Sequence, residues 1–566
     1  MSVATLGQPP SVSVFKRTPA DIWLTRAGLL LLIAWLAISI AFPLWVLLSK
    51  SFEAPDGTFV GLANYVRYFS TPTLFASVYN SVWVAVLSTA IVIPLAFIYA
   101  YALTRTRLQA RGLFYSIALL PLFAPSLLSA ISLIYLFGNQ GLLKSWLFGA
   151  TIYGPIGIVI AQVFYCFPHA LIILVAALGL ADARLYEVAD ALGTKKSRIF
   201  LTVTLPGVKY GLINASFVVF TLVVTDFGIA KVIGGQFNVL ATDAYKQVVG
   251  QQNFSMGAVV GMILLIPAAL AFFIDRIVQR QQVSLLSARA VPLEPKRNRM
   301  RDTILSIYAL FIGALIVIML GTAVWASFIT YWPYNLSLTL RNYDFGQFDA
   351  NGWWPYFNSL RLAVLTAIIG TVIVFTGAYV VEKSKVGGRA LAHFLAMLPM
   401  AVPGLVLGLG YVFFFNAKWN PLNVMYATMG VLVINCIAHF YTVAHITALT
   451  ALKQIDPEFE SVSASLKVSV WRTFRRVTVP ICMPAILDIA VYLFVNALTT
   501  VSAVIFLYGP DSKLASIAIV HMDEAGVTAG AAAMATMIVA TALGVKLLHV
   551  LLDRFVFMRL QAWRRR

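Results

Sequence analysis

Charge is scarce in this 566-residue chain: Asp, Glu, Lys and Arg together make up 11% of it, against 60% hydrophobic residues. A water-soluble fold could not hide that much apolar surface, so lipid must cover it. Acids are scarcest, with 22 Asp and Glu against 41 Lys and Arg, a net charge of +19. Such an excess could serve nucleic acid or acidic lipid. Membrane chains, however, gather Lys and Arg in their cytoplasmic loops, and the loop positions below follow that pattern, so no nucleic-acid partner is expected. The three cysteines, Cys166, Cys436 and Cys482, lie in or beside apolar runs without metal-ligand spacing, which supports neither a disulfide framework nor a zinc site. There is no Gly-x-x-x-x-Gly-Lys-[Ser/Thr] loop to cradle nucleotide phosphates; Gly193-Thr194-Lys195-Lys196-Ser197 lacks the upstream glycine. No His-Glu-x-x-His, nucleophile elbow or carboxylate pair within an apolar run is present, so no catalytic residue, metal ligand or resident cofactor is assigned. A cleavable signal peptide is missing too: the polar start carries Lys16, Arg17 and Arg26 ahead of the first apolar run, as for an uncleaved helix starting in the cytoplasm.

What the chain does have is long apolar runs, and it has them twice. Mean hydropathy is +0.86. Six runs of spanning length fall at 27–49, 79–103, 113–137, 153–179, 210–233 and 256–279, and six more at 303–330, 358–381, 391–415, 427–451, 484–507 and 527–552. Asn64-Tyr65 recurs as Asn342-Tyr343, Asn80-Ser81 as Asn358-Ser359, Leu120-Pro121 as Leu398-Pro399, and Pro125 as Pro403, all offset by 278. Pro206 then meets Pro480 at an offset of 274, so four residues are lost between Pro125 and Pro206, placed in the loop after span three. The fold class is therefore all-α integral membrane, with about twelve transmembrane helices as two parallel six-helix repeats. An even count per half makes the repeats parallel, as in many transporters. The domains read as a cytoplasmic segment 1–26, a first membrane domain 27–280, a basic linker 281–302, a second membrane domain 303–553 and a basic tail 554–566. The linker holds Arg289, Lys296, Arg297, Arg299 and Arg301 with Pro292 and Pro295. Arg105, Arg107, Arg111, Lys195, Lys196 and Arg198 sit in alternate loops of half one. Lys383, Lys385, Arg389, Lys453, Lys467, Arg472, Arg475 and Arg476 sit in the matching loops of half two, and Arg564-Arg565-Arg566 ends the chain. Both termini are accordingly expected in the cytoplasm.

One such loop in each half is longer than a turn needs. In half one, Asp182 can cap a helix running through Glu187, Ala189 and Ala191 to Gly193, and a basic segment resumes until Pro206. In half two the stretch opens at Asp456-Pro457, with proline preorganised at the first helical position. It continues through Glu458 and Glu460 to Lys467, then Trp471-Arg472-Thr473-Phe474 and Val479-Pro480. Each reads as a short helix across the cytosolic mouth, able to pass a push from a soluble partner into the membrane. Glu187-x-Ala189-x-Ala191-x-Gly193 with Leu205-Pro206 resembles the EAA loop of permease subunits of binding-protein-dependent ABC importers, and Trp471–Pro480 is similar to that family as well. The resemblance covers about 27–553 and is to the fused class. It implies the type I ABC importer permease fold. It also implies that Glu187, Ala189, Ala191 and Gly193 couple half one to an ATP-binding subunit, with Ser461, Ala464, Ser465 and Lys467 in that role in half two. Ser461 in place of the acid and Lys467 in place of the glycine make the two docking sites unequal, with Glu460 a substitute acid. The implied partners are two copies of an ATP-binding subunit, which carry the ATP-Mg, a periplasmic substrate-binding protein, and membrane lipid. The implied location is the bacterial inner membrane.

Charged groups inside spans are costly and mark function first. Asp226 and Lys231, with Phe227 and Gly228 between them and Thr500 at the matching position of half two, are the candidates for a substrate pathway; the alternative is an interfacial pair reaching for water. His169, His439 and His445 read as lone packing residues, and Pro121, Pro125, Pro399 and Pro403 as kinks in register. The stretches Asp226–Gly235 and Asn238–Thr242 resemble permeases for 2-aminoethylphosphonate, with ferric iron, thiamine or a polyamine as rival cargoes. A secondary carrier of the major facilitator type is the rival class, which would need no loop helices.

Overall fold

In hydrocarbon every backbone amide must find its partner inside its own segment, so apolar runs of this length become helices. The computed structural model describes residues 19–557 apart from 286–290, 292, 296, 384–385 and 457. The sequence readings for segment 1–18, Arg289, Pro292, Lys296, Lys385, Pro457 and the tail from 558 lie outside the described residues. Half one holds α1 (Asp21–Ser51), α2 (Pro72–Arg105), α3 (Arg111–Ala118), α4 (Ser126–Phe137), α5 (Pro155–Gly179), α6 (Ala183–Ala191), α7 (Lys196–Thr225), α8 (Gly228–Ile233) and α9 (Phe254–Leu285). Half two holds α10 (Arg299–Ser327), α11 (Trp354–Lys383), α12 (Arg389–Met397), α13 (Gly404–Phe415), α14 (Met429–Lys453), α15 (Glu458–Ser465), α16 (Val470–Ile481), α17 (Met483–Thr499), α18 (Ala515–Glu524) and α19 (Thr528–Leu552). A two-stranded hairpin, β1 (Ile329–Tyr331) and β2 (Asn335–Leu338), follows α10.

The repeat is legible in the helix bounds. α4 and α13 are offset by 278, whereas α5 and α14 are offset by 274, so the four residues are lost between them, where 138–154 is matched by the shorter 416–428. Among the described residues nine helices are long and apolar enough to cross a membrane, and eleven spans result if each of two bent pairs counts as one. The remaining expected span, 113–137, is divided into α3, a 3-10 turn at Leu120–Phe123, and α4. Pro121 and Pro125 cause the break: Ala124 and Pro125 are extended, as residues flanking proline prefer. Pro399 and Pro403 repeat it, and there the two arms, Arg389–Ala401 and Gly404–Phe415, meet at 113°. The expected kinks are thus full breaks. Spans five and eleven also stop early, at Thr225 and Thr499, where Asp226 and Thr500 turn extended. Half two bends a further 76° at Cys482. Pro484, whose register partner is Tyr210, removes the amide that would carry the helix through.

The first helix of each half packs on the other half. α1 lies along α11, α12 and α13, and α10 lies along α2, α3 and α4. The Tyr411 hydroxyl donates to the Ser39 carbonyl at 2.7 Å, and the Tyr308 hydroxyl to the Leu95 carbonyl at 2.8 Å. A Cβ on Gly410 would stand 2.8 Å from the Pro43 carbonyl oxygen, so glycine is what lets α13 come this close to α1. Neither half buries its apolar surface alone, and the two fold as one body.

Candidate functional site: the paired loop helices and the far-end contact

Asp182 starts α6 by accepting the Arg184 amide on its carboxylate at 3.1 Å, satisfying a helix donor that has no partner within the helix. The end of α6 is closed by a Schellman pair: the Thr194 amide reaches the Ala189 carbonyl at 3.0 Å and the Gly193 amide reaches Asp190 at 3.0 Å. Gly193 supplies the left-handed φ of +67° that this closure requires. Lys467 occupies the same place at the end of α15, with φ +53° and the Val468 amide on the Ser463 carbonyl at 2.9 Å. A side chain in that conformation costs about 1 kcal/mol over glycine. Lys467→Gly is therefore expected to slow amide exchange of α15 about fivefold. Gly193→Ala, whose Cβ would meet nothing within 4 Å, should speed exchange of α6 by as much. Unchanged exchange in both would show that the closure carries no strain.

What these helices present to water is not what the motif residues suggested. Glu187, Ala191 and Gly193 are exposed, but Ala189 is buried against the body. Ser461, Ser465 and Lys467 are exposed, Ser465 bonding back to the Ser461 carbonyl; the side chain of Ala464 lies outside the described residues. The exposed face is a stripe of large apolar side chains at helical spacing. Leu185, Val188 and Leu192 line α6, and Phe459, Val462 and Leu466 line α15, each offset by 274. Leu192 is 77% exposed and Leu466 71%. Contiguous exposed apolar surface of this kind is found at protein-binding and membrane-contacting surfaces. The i, i+3, i+7 pattern is present in the sequence itself, interleaved with the small residues of the motif.

Each loop helix is tied to its body at register-equivalent points by different chemistry. In half one the Arg105 guanidinium lies 5.3 Å over the Tyr186 ring and donates to the Leu178 carbonyl at 2.9 Å. In half two Lys383 and Glu460, the same positions, form an ion pair at 2.8 Å. Glu460, considered above as a substitute docking acid, faces its own scaffold. The linker also joins half one: the Ala183 amide donates to the Val291 carbonyl at 2.9 Å, and Arg107 Nε to the Pro295 carbonyl at 3.1 Å.

α7 carries the chain from α6 to the far end of the helices, where the pathway candidates sit. The structure does not pair Asp226 with Lys231. Asp226 accepts from the Ile229 amide at 2.9 Å and from Gln162 Nε2 at 3.1 Å, anchoring the start of α8. Phe227 is buried against Tyr245, ring centroids 5.1 Å apart. Gly228 is required by close approach, since a Cβ there would stand 2.6 Å from Ser126 Oγ. The Thr500 carbonyl accepts from Ser516 Oγ at 2.7 Å. Lys231 reaches the opposite half. It forms an ion pair with Glu524 of α18, and its ammonium lies 4.7 Å over the Tyr245 ring. Tyr245 in turn stacks across the halves on Phe506 at 6.3 Å. Glu524, Tyr245, Phe506 and Gln162 were missed in sequence. Glu524, beside Asp523 in an acid-poor chain, was the available signal. Nearby, Lys513 holds Asp349; burial pushes that carboxyl up, but the Lys513 bond and the Asn351 amide outweigh it and keep it below the ordinary range. The histidines are not all alone: His445 Nε2 lies 3.4 Å from His393 Nδ1, on a helix not considered for it.

A family model described as binding-protein-dependent transport system inner membrane component matches residues 92–283 and 382–558, one copy in each half. The chain is 30% identical over 435 residues to the putative ferric transport system permease protein FbpB 1 of Haemophilus influenzae, covering 73% of this chain and 68% of the relative. It is 30% identical over 454 residues to the ferric transport system permease protein FbpB of Actinobacillus pleuropneumoniae, covering 75% and 64%. Over 519 residues it is 24% identical to the Fe(3+)-transport system permease protein FbpB 2 of Haemophilus influenzae, covering 91% and 96%.

Proposed function

Because the chain belongs to the family of inner membrane components of binding-protein-dependent transport systems, we propose that it forms the membrane pathway of an ATP-driven importer, with both halves in one polypeptide. The observation that carries this reading is the pair of loop helices with matching exposed apolar stripes, one per half, each fixed to its scaffold. Two ATP-binding subunits would each seat one stripe. Their closure on ATP would draw α6 and α15 together and part the contact between α8 and α18 at the far end, where a binding protein delivers cargo. In this reading the loops, and both termini, face the cytoplasm.

Ferric iron is the proposed cargo, because the three relatives above are named for it. The sequence pointed first to 2-aminoethylphosphonate; none of these relatives is named for a phosphonate, and that reading stands only as a rival outcome, with thiamine and polyamines. Uptake of labelled ferric ion and labelled phosphonate by cells with and without this chain separates them. Chain-dependent uptake of iron alone is expected; uptake of the phosphonate alone would overturn the cargo. Uptake that survives ATP depletion but collapses with the proton gradient would instead favour a secondary carrier.

A further inference from the structure

A groove of about 170 Å³ opens between α1, α11 and α16, at the end of the helices that carries the loops. Leu24 and Gly28 come from α1, Thr376 and Val380 from α11, and Trp471 and Phe474 from α16. Its two threonine hydroxyls are bonded back to their own helices: Thr25 Oγ1 donates to the Asp21 carbonyl at 2.7 Å and Thr376 Oγ1 to the Val372 carbonyl at 2.5 Å. The floor is aromatic, Trp471 stacked on Phe474 at 5.6 Å and Phe474 against Tyr379 at 4.6 Å. An apolar groove of this kind does not hold water well.

The surroundings say what fills it. Trp471, which lines the groove, and Trp23, next to Leu24 in the chain, are both exposed, as aromatic side chains are where a membrane meets water. Arg26, Arg472, Arg475 and Arg476 are all exposed within a turn or two of the lining residues, and Lys383 lines the groove itself. Of the nearby acids, Glu460 is engaged with Lys383 and Asp21 accepts the Val470 amide at 3.2 Å, while Glu382 precedes Lys383 along α11. An apolar slot between membrane helices with a basic rim matches a phospholipid with a negative head group. The matching positions of the repeat carry polar residues instead: Leu24 corresponds to Asp302, Gly28 to Ser306 and Trp471 to Ser197.

We propose that this groove is a binding site for one anionic phospholipid, an acyl chain lying between Gly28 and Thr376 and the phosphate on the basic rim. Since Trp471 and Phe474 belong to the segment that follows α15, the bound lipid props the loop helix of half two and leaves that of half one untouched. The two halves thereby differ in their dependence on the membrane.

The test is native mass spectrometry of the full chain released from nanodiscs of mixed phosphatidylcholine and phosphatidylglycerol. One phosphatidylglycerol retained per chain is expected, with phosphatidylcholine excluded. Arg472→Gln should weaken retention about fivefold. Thr376→Trp and Gly28→Leu fill the groove from opposite walls, and each should abolish retention in protein that elutes and melts as the parent does; two walls guard against one variant failing to fold. Equal retention of both lipids, or undiminished retention in a folded filling variant, would overturn the proposal. Neither readout involves transport or its cargo, so the site can fail while the importer reading stands.

Discussion

Aspartate in place of Leu192 abolishes uptake while the purified chain keeps its fold. Leu192 is largely exposed, so the substitution leaves the body's packing alone. Seating it in a partner's groove is worth about 2 kcal/mol, and burying an unpaired carboxylate there costs more. The combined loss weakens docking by about a hundredfold or more, enough to release the ATP-binding subunit from that half. The measurements are co-purification of the subunit and uptake in the assembled transporter. Leu466→Asp tests the second loop in the same way. Because Ser461 and Lys467 stand where half one has Glu187 and Gly193, the two variants should differ in severity. Undiminished uptake from Leu192→Asp would remove the stripes from the coupling role.

Lys231→Glu opens the far end. In the structure Lys231 bonds to Glu524 and lies on Tyr245, joining α8 to α18 across the two halves. The pair is partly exposed, at 19% and 40%, so solvent screens it and the favourable contact is worth about 1 kcal/mol. Reversal replaces that attraction with repulsion, shifting the balance toward the opened state about tenfold or more. Basal ATP hydrolysis of the assembled transporter should rise without binding protein, by a factor of about ten. Lys231→Glu with Glu524→Lys restores opposite charges and should return hydrolysis toward the parent value. A rise in the single variant that the double variant fails to reverse would assign the effect to local packing rather than to the ion pair.

The scaffold was legible early because its causes are local. Apolar runs long enough to cross lipid must be helices, and prolines recurring at an offset of 278 fix the break in the third span of each half; Pro206, expected to stop a helix, instead lies inside the continuous α7, as Pro480 does inside α16. The loop helices followed from Asp182 and Gly193 at their ends. Their exposed apolar face did not, because the small residues of the motif do not say which side of the helix packs inward, and one of them, Ala189, is buried. The pathway candidates fared similarly. Asp226 and Lys231 stand five residues apart and look like a pair, yet one caps a helix in its own half and the other bonds to a residue 293 positions further on.

The sequence by itself determined the class, the duplication, the two loops and the inequality between Gly193 and Lys467, since each depends on composition or on residues close along the chain. Only the tertiary structure decided that the first helices are exchanged between halves, that Lys231 meets Glu524, and that α1, α11 and α16 together enclose the groove beside Trp471. These depend on which helices lie side by side, and packing in lipid is settled by close approach, as at Gly410 and Gly228, rather than by any pattern within one helix.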